Sequence, residues 1–270
     1  SEDNLAEFIE LLNINSSKTL NLEKVRFTQG IEFNFTGSAY SSLAPGERIL
    51  IVRDLNAFEA VYGVNHPVAG VFANRTALSN GGERIKLEDA NNGTILEFAY
   101  DDQPPWPTEA DQKGHSLVLI APHTRPNPAL FENWRISLLP GGSPGGEDKA
   151  TYPSKPIEDA NGNGEPDLID FALGNDLGLS PVFPQFSRGE DVPGKGDSLI
   201  LTVPISLAAD AVKIEFYFST DLIEWHDGTA DLELVSTKPL GTQRVLRAWR
   251  VKPTLRNQPQ LYMRLRVVGR

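Results

Sequence analysis

The apolar residues of this chain come in short runs, and glycine and proline keep those runs apart. There are 23 Gly and 20 Pro, and they cluster between the runs rather than inside them. Such punctuation favours short strands joined by turns over long helices. VRF and IEFNF, between Leu20 and Phe35, alternate apolar and polar as half-buried strands do. LAPGERILIV sets a Pro-Gly turn directly before an apolar strand at Ile49–Val52. The stretch ALSNGGERIKLEDANNGTILEFAYDD reads as a hairpin about an Asn-Asn-Gly turn, and SLVLIAP at 116–122 as a further strand. VKIEFYFST places Ile214, Phe216 and Phe218 on one face and Glu215 and Tyr217 on the other. Residues 5–12 fit either a strand or a short amphipathic helix. Two helices stand out: 54–62, opened by Asp54 and closed by Gly63, and Asp167–Leu173. The fold class expected is all-β.

A chain of 270 residues can hold two cores. The Gly/Pro-rich end of FENWRISLLPGGSPGG marks a boundary near 146. The expected division is a β-domain at 1–146, a polar connector at 147–180 and a smaller β-domain at 181–270, with no internal repeat between the halves.

Charge narrows function. A net charge of −11 argues against a general nucleic-acid binder, which needs a positive surface to displace counterions from phosphates. There is no Cys, so neither a disulfide framework nor a thiolate metal site can form. No apolar run approaches the ~18 residues of a membrane-spanning helix. The start, SEDNLAEF, lacks the basic and apolar regions of a signal peptide, so the chain is expected to be processed or, in the favoured reading, a segment of a larger protein.

The order EFIELLN, IEFNF, LAPGERILIV, FEAVYG, LSNGGERIKLEDANNGTI, AYDDQPPWPTEADQKGHSLVLI and NWRISLLPGGSPG resembles a bacterial lamin-tail domain over residues 5–146. The resemblance implies an immunoglobulin-like β-sandwich without catalytic machinery. That family opens with one more strand before the FIEL segment. The expectation is therefore that residues precede Ser1 in the parent protein, or that another element covers the edge. LSNGGERI puts two glycines where a turn with positive φ is expected. In PPWPTEAD, prolines fix an extended loop that Trp106 anchors.

A second stretch, DANGNGEPDLID at 159–170, is similar to the calcium loops of EF-hands, dockerins and thrombospondin-type repeats. Calcium takes six to eight oxygens, supplied in such loops from positions one, three, five, seven, nine and twelve, with Gly at six for the sharp turn. Asp159, Asn161 and Asn163 fill the first three places, and Gly164 is the sixth residue. The resemblance implies that Glu165 gives its backbone carbonyl, Asp167 ligates directly or through water, and Asp170 takes the twelfth place. Asp170 is shorter than the usual Glu, Pro166 stands where EF-hands are apolar, and two Asn lower the negative charge. A weak calcium site suited to extracellular concentrations follows. The plain alternative is an Asn/Gly-rich turn that caps the helix without metal.

DANGNGEPDLIDFALG with NDLGLSP, FSTDLIEWHDG at 218–228 and the tail LYMRLRV resemble connectors and C-terminal β-domains of secreted planctomycete and verrucomicrobial proteins. This implies a second small sandwich of unknown ligand.

Catalytic readings are weaker. Gly196-Asp197-Ser198-Leu199 spells the GDSL signature of a lipase and esterase family, but no Asp-x-x-His follows to supply a base. The four histidines, His66, His115, His123 and His226, lack zinc spacing. Asp101-Asp102 and Glu109-x-Asp111 could supply the acidic pair that glycoside hydrolysis needs, but loop acids next to turns are usually solvated.

The sequence thus points to two immunoglobulin-like β-sandwiches joined by a calcium-loop connector with a short helix. The expected role is a non-catalytic structural or adhesive module of a larger secreted or cell-surface bacterial protein, with calcium stiffening the junction. Its partners would be calcium, other domains of the parent or other surface proteins, and polysaccharide, with no nucleic acid and no membrane insertion. The alternative is a carbohydrate-binding module accompanying an extracellular hydrolase, with Trp106 and Trp134 as a stacking platform.

Overall fold

Successive side chains of a strand point to opposite faces, so four consecutive buried residues require cover on both sides. Ile49, Leu50, Ile51 and Val52 meet that condition in the computed structural model, each at 0% exposure. The structure describes residues 5–103, 105–110, 114–175, 180–189, 198–241 and 244–270. The chain divides into two compact units, Ser1–Asp148 and Lys149–Arg270, and both are built mainly of strands.

The first unit runs β1 (Phe8–Leu12), β2 (Leu20–Asn21), β3 (Arg26–Gln29), β4 (Phe33–Asn34), β5 (Ser42–Leu43), β6 (Arg48–Val52), α1 (Leu55–Tyr62), β7 (Val68–Val71), β8 (Glu83–Glu88), β9 (Thr94–Tyr100), β10 (Leu117–Leu119) and β11 (Trp134–Ile136). One sheet has the order β1-β6-β7 and a second the order β4-β3-β8-β9. Ile49 and Ile51, with Ile9 and Leu11, pack against Phe27, Ile85 and Leu87 of the second sheet. Leu50 and Val52 face the other way and meet Phe58 of α1, with Phe8, Tyr62 and Val68 around them. α1 is the crossover that lets β7 lie parallel to β6. Its first turn is capped by Asp54, whose Oδ1 accepts the Ala57 N–H at 2.8 Å, and Gly63 ends it at φ 84°.

Within residues 5–12, Phe8–Leu12 is a strand because it pairs antiparallel with β6, a tertiary partner that local periodicity does not reveal. The Gly145 N–H donates to the Glu10 carboxylate of that strand at 2.7 Å. Of the two glycines in LSNGGERI, Gly82 alone has positive φ, at 86°; a Cβ there would sit 2.5 Å from the Tyr100 carbonyl oxygen. The strand expected at 116–122 is shortened to β10, since Ala121 takes a left-handed conformation and turns the chain.

The second unit contains α2 (Asp167–Leu173), β12 (Gln185–Gly189), β13 (Ser198–Ser206), β14 (Val212–Ser219), β15 (His226–Asp227), β16 (Leu232–Pro239), β17 (Arg244–Val251), α3 (Pro253–Arg256) and β18 (Tyr262–Gly269). Its sheets run β12-β13-β17-β16 and β15-β14-β18. Leu201 and Val203 of the first meet Phe216 and Phe218 of the second, with Leu173 of α2 in the same cluster. Phe171 and Ala172 pack with Ala209 and Val212. α2 therefore contributes to the core of this unit. Pro204 lies in β13 beyond the end of β12, which stops opposite Thr202, and pairs with Leu246 of β17.

Candidate metal centre

The first backbone N–H groups of a helix lack partners within the helix. In α2 they go to the preceding loop: Asp167 N donates to the Glu158 carbonyl at 2.7 Å, and Leu168 N to the Pro156 carbonyl at 3.0 Å. The Asp167 carboxylate returns the contact, accepting the Ala160 N–H at 2.9 Å. The loop is thus tied to the helix at its start, and Gly164, at φ 93°, makes the bend that brings its middle back.

Within the loop each short polar side chain accepts a backbone N–H. Asp159 accepts from Asn163 and Gly164 at 3.1 and 2.9 Å, Asn161 from Asn163 at 3.0 Å, and Asn163 from Glu165 at 2.8 Å. Each such sp2 oxygen keeps a further lone pair. The two asparagines also meet Asp170, which is 1% exposed: the Asn161 amide donates to it at 2.7 Å, and the Asn163 amide to both its oxygens at 3.0 and 2.9 Å. Asp159, Asn161, Asn163 and Asp170 are therefore linked in one network. Asp167 faces the loop through Ala160, and Glu165 enters through its backbone.

A buried carboxylate needs compensation, and here amide dipoles supply it in place of a cationic side chain. Turning those amides would present oxygens to an ion, and oxygen donors alone suit a hard cation such as calcium. The donor set fits that group through two carboxylates and two amides. Among the described residues, nowhere do three His, Asp or Glu side chains gather closely enough to share a metal.

The far end of α2 has an anchor that sequence reasoning missed. Arg244, 4% exposed, donates to Asn175 Oδ1 at 3.0 Å and to the Ser180 carbonyl at 3.2 Å. Burial pushes its guanidinium below the usual arginine range. RVLRAWRV alternates like any half-buried strand, and nothing in it signals this contact.

Among the described residues, the other candidates do not come together in one site. Gly196 and Asp197 of the GDSL stretch and Asp111 of the second acidic pair lie outside the described residues. His115 Nδ1 is 2.9 Å from the Ser137 carbonyl, and the buried Ser137 hydroxyl is committed to the Leu139 carbonyl at 2.7 Å. His66 Nε2 lies 2.9 Å from the Tyr62 carbonyl. Trp134 stacks on Phe98 at 5.2 Å, while Trp106 is tilted 41° from Trp134, so the two indoles form no flat platform. The Trp134 indole N–H donates to the Pro128 carbonyl. All four tryptophans are half-buried. The chain matches no protein-family model, no curated protein and no solved structure.

Proposed function

We propose that this chain is a non-catalytic structural or adhesive module of a larger secreted or cell-surface protein, and that its Asp159–Asp170 loop takes calcium. One observation carries the reading: the buried Asp170 carboxylate sits against the amides of Asn161 and Asn163. Asp159, Asn161, Asn163 and Asp170 would hold the ion by side chain, Asp167 directly or through water, and Glu165 by its carbonyl. The ion would supply positive charge to a desolvated carboxylate, and with it stability. In this reading each unit is an immunoglobulin-like sandwich, and calcium stiffens the stretch that opens the second unit and follows the first in sequence. Asp170 belongs to the helix that places Phe171, Ala172 and Leu173 in the core, so order at the loop and order in the core rise together.

Binding only to the folded form stabilises by mass action, about 2.7 kcal/mol at a hundred times Kd. Thermal melting with calcium and with EDTA, alongside calorimetric titration of the EDTA-treated protein, tests the reading. A higher Tm with calcium and a saturable heat are expected. An unchanged Tm together with no heat would remove the calcium claim.

A further inference from the structure

On β14 the residues that alternate with the buried Phe216 and Phe218 point away from the core, and Tyr217 is among them. Arg264 of β18 lies directly opposite Tyr217 in the ladder, and Arg266 lies opposite Glu215. Both arginines are exposed. The Arg264 guanidinium lies 5.4 Å from the Tyr217 ring centre and 4.7 Å from that of Trp225, just ahead of β15. Cation–π attraction holds it there and leaves its N–H fork available, since a ring offers no in-plane acceptor. Among the described residues neither guanidinium has a carboxylate partner. The acids on this face are engaged elsewhere: Glu215 accepts from Tyr217 Oη at 3.2 Å and Lys213 Nζ at 3.4 Å, and Asp227 accepts the Thr229 N–H at 2.9 Å. At the rim, Leu222 and Ile223 are 55% and 82% exposed.

Two unpaired guanidiniums on alternate residues stand about 7 Å apart along the strand. An ordered, unpaired Arg fork suits bidentate capture of a carboxylate. Nucleic acid is disfavoured, because a polyphosphate needs a longer series of cations and would meet the acidic remainder of the chain. A glycan carries its charge more sparsely and offers apolar C–H faces to Tyr217 and Trp225.

We propose that the outer face of β14 and β18 docks a uronate-bearing polysaccharide, with Arg264 and Arg266 each taking a sugar carboxylate and Tyr217 and Trp225 flanking them. This surface shares no residue with the Asp159 loop, so its failure and the failure of the calcium reading are separable. The test is titration calorimetry of the full chain with α-1,4-linked trigalacturonate, its methyl ester and an oligothymidylate. The expected result is saturable binding of the acid, at least tenfold weaker binding of the ester, and weak or absent binding of the oligonucleotide. R264Q should weaken acid binding at least tenfold. R264K keeps the charge without the fork and should weaken it several-fold. An unchanged Tm would show that both variants fold. Absence of binding, equal binding of acid and ester, binding unaffected by R264Q, or tighter binding of the oligonucleotide would each overturn the proposal.

Discussion

The side-chain amide of Asn163 donates to both carboxylate oxygens of Asp170, at 3.0 and 2.9 Å, and so joins the fifth position of the loop to its twelfth. Because Asp170 is buried at the root of a helix that fills the core, this contact couples a polar surface loop to the packing of the second unit.

Removing Asp170 should act twice. D170A leaves the Asn161 and Asn163 amides without their acceptor, at a cost of roughly 1–3 kcal/mol in EDTA. It also removes a ligand, so the variant should melt at the same temperature with and without calcium. Denaturant unfolding in the two conditions reads both effects. A D170A protein that calcium still stabilises as much as wild type would show that the ion binds elsewhere.

The cap on α1 is a simpler case. Asp54 Oδ1 holds the Ala57 N–H at 2.8 Å, and D54A should cost about 1 kcal/mol. D54N and D54S should recover most of that loss. A drop in Tm equal for all three variants would mean that the charge, rather than the cap, matters.

Local signals made much of this legible. Asp54 and Gly63 bound α1 as their chemistry dictates, Asp167–Leu173 is helical as expected, and Phe216 and Phe218 are buried as alternation requires. The Asp159 loop was visible because its ligand-type residues are adjacent in sequence. What sequence hid are partners chosen by tertiary packing. β1 needed β6 to settle whether it was helix or strand, and Arg244 reaches Asn175 across 69 positions. Arg264 is a routine strand residue until β14 brings Tyr217 beside it.

Glu10 gives a pH dependence with a defined sign. Burial pushes its carboxyl above the usual range, against the opposing pull of the Gly145 N–H and Arg48. A carboxyl whose pKa is higher in the folded state than in the unfolded one binds protons preferentially when folded. Its contribution is then fully present below the unfolded pKa and is lost as pH rises through the folded value. E10Q should therefore gain stability relative to wild type as pH rises from about 4.5, the ordinary glutamate value, through the higher folded pKa. Urea melts across that window measure the difference. A stability of E10Q that falls relative to wild type as pH rises would reverse the assignment.

Arg135 and Asp148 form a salt bridge with side-chain exposures of 1% and 6%. Asp148 also accepts the Leu138 N–H and the Ser143 hydroxyl, so the pair closes the end of the first unit. Truncating one partner strands the other charge out of water, which costs about 3–5 kcal/mol, whereas replacing both with apolar residues can be near neutral. R135M alone should thus be strongly destabilising, and R135M combined with D148L should recover part of the loss. A double variant no better than the single one would place the cost in the Leu138 and Ser143 contacts instead.

Gly228, after Trp225-His226-Asp227, is required by space rather than by backbone angle. Its φ is −101°, open to any residue, yet a Cβ would lie 1.9 Å from Cδ2 of the Phe218 ring and 2.2 Å from its Cε2. Phe218 is 2% exposed and packed in the second core, so the ring has little room to retreat. G228A should cost roughly 1–3 kcal/mol through overpacking. Pairing it with F218A removes the atoms in conflict and should make the cost of G228A smaller than in the wild-type background. A double-mutant cycle on the two positions decides it. Strictly additive costs would mean that the glycine serves the turn itself, whereas a coupling of 1 kcal/mol or more, on the order found for residues in contact, would place its role in the approach to Phe218.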